Sequence, residues 1–226
     1  MFEDDGEERE IVVIEIDATT LHSQEEDRRN LTEKLDVVYS GKELEGETAK
    51  CKRYRFKEKA LYGGIEEPGK FGEKLYRKGE ERLCLSKPRH QLVLSDGDVW
   101  IKNIAQVSYF MAIYQLDWRN LMVKIQQTLS DQPKLISDLI DYLNSGQGEK
   151  MLSTVELVCL LCEDRDKSQR ISDLVTYIES NRDGLYGSRL LRDRVEAKTV
   201  LVCSTGAMEK NIDTVIDRRF KRHGQS

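Results

Sequence analysis

Residues 11–17, Ile-Val-Val-Ile-Glu-Ile-Asp, form an almost unbroken β-branched run. A run without alternation reads as a strand buried on both faces, so it needs further layers of structure above and below it. That demand points to a sheet covered by other elements. It also places Asp17 at the C-terminal end of the predicted strand.

Two more strand-like runs follow, 34–40 and 52–61. In the second, Tyr54 and Phe56 alternate with Arg53, Arg55 and Lys57, which predicts one aromatic and one basic face until Glu58 interrupts, and Tyr62-Gly63-Gly64 is expected to end the strand. Pro68 opens an amphipathic helix over 67–82 carrying Phe71, Leu75 and Tyr76. A short apolar strand at 91–95 then ends in Asp96-Gly97-Asp98. Beyond it the pattern predicts a helix over 100–107, a strand over 109–116 ending at Asp117, and a helix over 118–129. From 134 to 194 everything is helical in period, two or three helices with breaks at Asn144-Ser145-Gly146 and Asp183-Gly184. A last strand over 199–203 leads through Ser204-Thr205-Gly206 into a helix over 207–221 with Met208, Ile212, Val215 and Ile216 as its apolar stripe. A meander of three strands followed by alternating helices and strands predicts an α/β fold, a mixed sheet flanked by helices with a helical insertion. The expected organisation is an acidic tail over 1–10, a first core segment over 11–133, an all-helical insertion over 134–195 and a closing strand and helix over 196–226.

Composition narrows the class. With 226 residues, 38% of them hydrophobic, the chain can bury a core, and its 34% of charged residues does not amount to wholesale disorder. No apolar stretch approaches the roughly 20 residues of a bilayer span, so no membrane partner is expected. The opening MFEDDGEERE is acidic where a signal peptide is basic and then apolar. Five scattered cysteines are no disulfide framework, which makes a reducing cytoplasm the expected location. The net charge of −5 gives the whole molecule no electrostatic case for a polyanion. Local runs do: Lys50, Lys52, Arg53, Arg55, Lys57 and Lys59, and again Arg218, Arg219, Lys221 and Arg222. Either run is equally at home as a solvated surface.

Asp17 and Asp96 each end a predicted apolar strand. Two carboxylates on rigid strand ends suit Mg²⁺, which takes hard oxygen ligands and keeps several waters. By themselves they read first as turn residues. Glu209 opens the closing helix, where an acid is favoured by the helix dipole or serves in a capping arrangement with Ser204 or Thr205. Cys159-Leu160-Leu161-Cys162 lies in an apolar helical run with no second pair and no nearby histidine, and reads as buried structure. His22, His90 and His223 lack ligand spacing, and no phosphate-binding glycine loop or serine nucleophile elbow is present.

The segment Leu94-Ser-Asp-Gly-Asp-Val-Trp-Ile-Lys-Asn-Ile104, the later Gln115-Leu-Asp-Trp118, and Cys203-Ser-Thr-Gly-Ala-Met-Glu-Lys-Asn-Ile-Asp213 through Arg218-Arg-Phe-Lys-Arg-His-Gly224 together resemble the DDE-type transposases of prokaryotic insertion sequences. Within these the chain looks like the Lre-type family, related to the Mutator-like transposases, from about Ile11 to Gly224. The resemblance implies a ribonuclease H-like core interrupted by a helical insertion before its last catalytic helix. It implies Asp17, Asp96 and Glu209 as catalytic carboxylates that hold Mg²⁺, or Mn²⁺, for DNA cleavage and strand transfer. It implies DNA as partner, a nucleoid-associated location and a homo-oligomer, with Lys52, Arg53, Arg55, Lys57, Arg218, Arg219 and Arg222 holding phosphates. Where the family has a histidine after the strand ending at Asp117, this chain has Asn120, and members are longer at both ends. The expectation is therefore a transposase catalytic core, as a truncated or inactive copy or an active one. The alternative is a non-catalytic DNA-binding remnant, and a ribonuclease H-like nuclease acting on RNA–DNA hybrid is a more distant one.

Overall fold

The structure is a computed structural model that describes residues 11–22, 30–40, 42–48, 51–56, 58–86 and 90–185. The β-branched run becomes β1 (Ile11–His22), which extends five residues past Asp17. It is followed by β2 (Asn30–Tyr39), β3 (Lys42–Thr48), β4 (Cys51–Phe56), β5 (Lys59–Gly64), α1 (Pro68–Leu83), β6 (His90–Ser95), α2 (Val99–Ser108), β7 (Ile113–Leu116) and α3 (Trp118–Thr128). Then come α4 (Pro133–Asn144), α5 (Gly148–Leu160), α6 (Arg165–Ser180) and a 3₁₀ turn at Arg182–Gly184.

Five strands form a mixed sheet in the order β5-β2-β1-β6-β7, and β3 pairs with β4 as a separate two-stranded ribbon. β1 runs antiparallel to β2 and parallel to β6, and β2 runs antiparallel to β5. The mixed sheet with six helices among the described residues is an α/β fold compatible with the ribonuclease H-like class. The predicted single strand over 52–61 is in fact β4 and β5, parted near Glu58. Tyr62, Gly63 and Gly64 belong to β5 instead of ending it, because their backbones pair with Asp36, Leu35 and Lys34 of β2. Of the predicted strand over 109–116 only Ile113–Leu116 is extended, since the Ala112 N–H turns back to the Tyr109 carbonyl at 2.7 Å.

The chain divides into two compact units between Ile113 and Tyr114. In the first, Ile11 to Ile14 and Ile16 are all at most 3% exposed, as a strand covered on both faces requires. Leu35, Val37, Val38, Leu92, Val93 and Leu94 join them, and each such side chain contributes about 1.5–3 kcal/mol on burial. α1 presents Phe71, Leu75 and Leu83 to this core. Gly72 lets α1 approach α2 closely, for a Cβ there would stand 3.1 Å from Ile104. The second unit has its own core. Leu121 and Ile125 of α3, Leu139 and Leu143 of α4, Met151 and Val155 of α5, and Ile171, Leu174 and Ile178 of α6 lie at helical spacing and pack together. The predicted break at Asn144-Ser145-Gly146 separates α4 from α5, and Gly146 has a φ of 72°. No helix among the described residues is long and apolar enough to cross a membrane.

Candidate metal centre

Parallel pairing fixes where the strand-end aspartates stand. The β1/β6 register runs from Ile11 opposite His90 to Glu15 opposite Leu94. Asp17 lies two residues past the last pair on β1, and Asp96 is the first residue after β6. Neighbouring strands lie about 4.8 Å apart. Two carboxylates 79 positions apart in sequence are thereby brought to the same end of two neighbouring parallel strands. Asp17 is not at the end of its own strand, as the sequence suggested, because β1 continues to His22 against β2. It stands where its parallel partner stops.

Both aspartates are partly exposed. One Asp17 oxygen, Oδ1, accepts the Ala18 N–H at 2.7 Å. Asp96 Oδ1 accepts the Asp98 N–H at 3.0 Å, and the buried Ser95 hydroxyl oxygen accepts the Gly97 N–H at 3.0 Å. These bonds wrap the chain into a tight turn between β6 and α2. Gly97 has a φ of 103°, a conformation open in practice only to glycine, and it lets the turn close over the end of the strand. Glu15 lies on the Asp17 face, two residues earlier, but is fully buried and accepts the Tyr39 hydroxyl at 2.6 Å. It serves the core and not the sheet edge.

Around the other side of the same edge, Lys34 is only 9% exposed, donates to the Glu66 carbonyl at 2.7 Å and lies 5.7 Å from the centre of the Trp100 ring. The Glu66 carboxylate is held by Lys74 and by the Tyr62 hydroxyl, and those bonds lower its pKa to about 2. Sequence reading missed Lys34 and Trp100. The signal was Trp100 itself, a large aromatic four residues after Asp96 at the start of an otherwise ordinary helix.

Glu209, Arg218, Arg219, Arg222 and Lys57 lie outside the described residues. Lys52, Arg53 and Arg55 lie on β4, where the backbone register pairs Lys52 with Glu47, Arg53 with Gly46 and Arg55 with Glu43. In the second unit Asp117 is a helix cap: its buried Oδ1 accepts the Arg119 N–H at 2.7 Å and the Asn120 N–H at 3.4 Å at the start of α3. Cys159 and Cys162 are half-buried, their thiols against the carbonyls of Ser168 and Asp164 at 3.5 and 3.4 Å. The helical run that holds them is less buried than expected, with Leu160 83% and Leu161 73% exposed.

Among the described residues no group of three or more His, Cys, Asp or Glu side chains is placed to hold a metal ion. The Asp17 and Asp96 pair nonetheless suits Mg²⁺ or Mn²⁺. A small hard cation is commonly held by one or two carboxylates, with waters and substrate phosphates completing its shell. The family model described as Uncharacterised protein family (UPF0236) matches residues 2–226 of the chain. No curated protein matches it.

Proposed function

The chain belongs to the UPF0236 family, and we propose that it is the catalytic core of a DNA transposase, cleaving and joining DNA with the help of Mg²⁺ or Mn²⁺. The observation that supports this reading is the parallel pairing of β1 with β6, which brings Asp17 and Asp96 to the same end of neighbouring strands. Asp17 and Asp96 are the residues that would hold the ion, with Glu209 of the closing segment as a third carboxylate. The ion supplies activation of water or a DNA 3′-hydroxyl and neutralisation of charge on the phosphate. The protein's own part is positional. The Asp96-Gly97-Asp98 turn would hold one carboxylate and the pairing of β1 with β2 the backbone of the other, which limits reorganisation as charge develops. Lys52, Arg53, Arg55, Lys57, Arg218, Arg219 and Arg222 would bind DNA phosphates without reading sequence. The helical segment over 134–195 is an insertion in this core, and the protein works on DNA in the cytoplasm as a homo-oligomer.

The test is a nicking and strand-transfer assay on supercoiled DNA with Mn²⁺, beside a direct Mn²⁺ titration. Asp96→Asn is expected to abolish nicking and to weaken Mn²⁺ binding at least tenfold while the protein stays folded. Unchanged Mn²⁺ affinity in Asp96→Asn overturns the reading. Salt-sensitive DNA binding with no nicking in the wild type favours the non-catalytic DNA-binding alternative.

A further inference from the structure

Asp98 occupies the N-cap of α2 but makes no side-chain capping bond, although aspartate is among the best residues for that role. Its Oδ2 instead accepts the indole N–H of Trp100 at 3.2 Å. Its backbone N–H is spent on Asp96 Oδ1 at 3.0 Å. A cap bond forgone beside a candidate site calls for a compensating role, and the contacts supply one. Trp100 is gripped from two sides: the Phe71 ring meets it edge-on at 6.2 Å, and the nearly buried Lys34 ammonium lies 5.7 Å from its ring centre. Lys34 is anchored in turn to the Glu66 carbonyl. The chain of contacts thus runs from Glu66 and Lys34 through the Trp100 ring to Asp98 and on to the carboxylate of Asp96.

We propose that Trp100 is a positioning residue for the metal centre, its indole N–H holding Asp98 so that the Asp98 N–H orients the Asp96 carboxylate. The inference rests on the two-carboxylate reading above. Outer contacts of this kind orient metal ligands, and their loss typically lowers metal affinity about 10- to 100-fold. Lys34 acts one step further out, since an ammonium near the indole face keeps the ring from turning away from Asp98.

The experiment uses the full chain and compares Trp100→Phe, which keeps an aromatic ring but loses the N–H, with Phe71→Leu, which strips packing from the same ring and leaves the N–H. Two quantities are read: the Asp98 amide proton shift and exchange rate without metal, and the Mn²⁺ dissociation constant from water-proton relaxation. Trp100→Phe is expected to shift the Asp98 amide, speed its exchange and raise the dissociation constant about 10-fold at a little-changed melting temperature. Phe71→Leu is expected to lower the melting temperature and leave the dissociation constant within about twofold. A Trp100→Phe protein with the wild-type Asp98 amide, or with wild-type Mn²⁺ affinity, overturns the inference and leaves the two-carboxylate reading standing. Equal weakening by Phe71→Leu overturns it too, by assigning the effect to packing. Absence of Mn²⁺ binding in the wild type overturns both the reading and the inference.

Discussion

Asp36 sits in the middle of β2, fully buried, and neither of its carboxyl oxygens has a hydrogen-bond partner among the described residues. Burial disfavours its charge, and the neighbouring Glu15 adds repulsion, so its pKa lies well above the usual 3.8. Tyr109, whose buried hydroxyl is also without a hydrogen-bond partner among the described residues, is pushed up chiefly by burial, with nearby Asp36 adding to the shift at the high pH where a tyrosine titrates. In the unfolded chain Asp36 loses its proton near pH 3.9, whereas the fold keeps it. The folded state then binds more protons, so stability must fall as the pH rises from about 4 toward the folded pKa, by at most about 1.4 kcal/mol per pH unit. Asp36→Asn removes this titration. The variant is expected to match the wild type in urea near pH 4 and to exceed its unfolding midpoint at pH 8. A midpoint at pH 8 below that of the wild type would show that Asp36 is ionised and satisfied in the fold.

At the scale of elements, α1 ends on Cys84 in the left-handed conformation, φ 49° and ψ 60°, with its N–H donating to the Glu80 carbonyl at 3.0 Å. This terminus usually takes glycine, since a Cβ there costs on the order of 1 kcal/mol. Cys84→Gly is expected to raise stability by about 0.5 kcal/mol, after the added freedom of the unfolded chain is offset, and chemical denaturation measures it. A loss of stability would mean that packing of the Cys84 side chain outweighs the strain. Elements with a dominant local signal were legible in the sequence: the β-branched run of β1, Pro68 at the start of α1 with its apolar stripe, and the helical period from α3 to α6. Elements decided by pairing were not. β3 reads Lys-Glu-Leu-Glu-Gly-Glu-Thr and lacks a strand's composition, and its backbone is extended because β4 lies antiparallel beside it with an irregularity between Leu44 and Gly46. Gly63 and Gly64 look like a strand terminator, yet the neighbouring β2 supplies hydrogen-bond partners that local propensity does not register. The two aspartates were legible as strand-end acids, but that their strands are parallel neighbours depends on a pairing between segments 79 residues apart. The indole bond to Asp98 depends on a rotamer that spacing alone does not fix.

For the whole molecule, 36 basic residues against 41 acidic ones mean that long-range attraction to DNA is absent, and any binding must come from a local arrangement of cations. If all of Lys52, Arg53, Arg55, Lys57, Arg218, Arg219 and Arg222 met phosphates, the slope of log K against log salt would be about −6. Lys52 and Arg55 stand in register with Glu47 and Glu43, while Arg53 stands in register with Gly46. Arg53→Ala is accordingly expected to reduce the magnitude of the salt slope by about 1, and to weaken binding equally for unrelated DNA sequences. Lys52→Ala and Arg55→Ala should each reduce the slope by a similar amount. Fluorescence anisotropy on two unrelated duplexes between low and moderate salt measures all three. Equal slopes for the wild type and Arg53→Ala would remove the β3–β4 ribbon from the DNA interface and leave the closing segment with Arg218, Arg219 and Arg222 as the place to look for it.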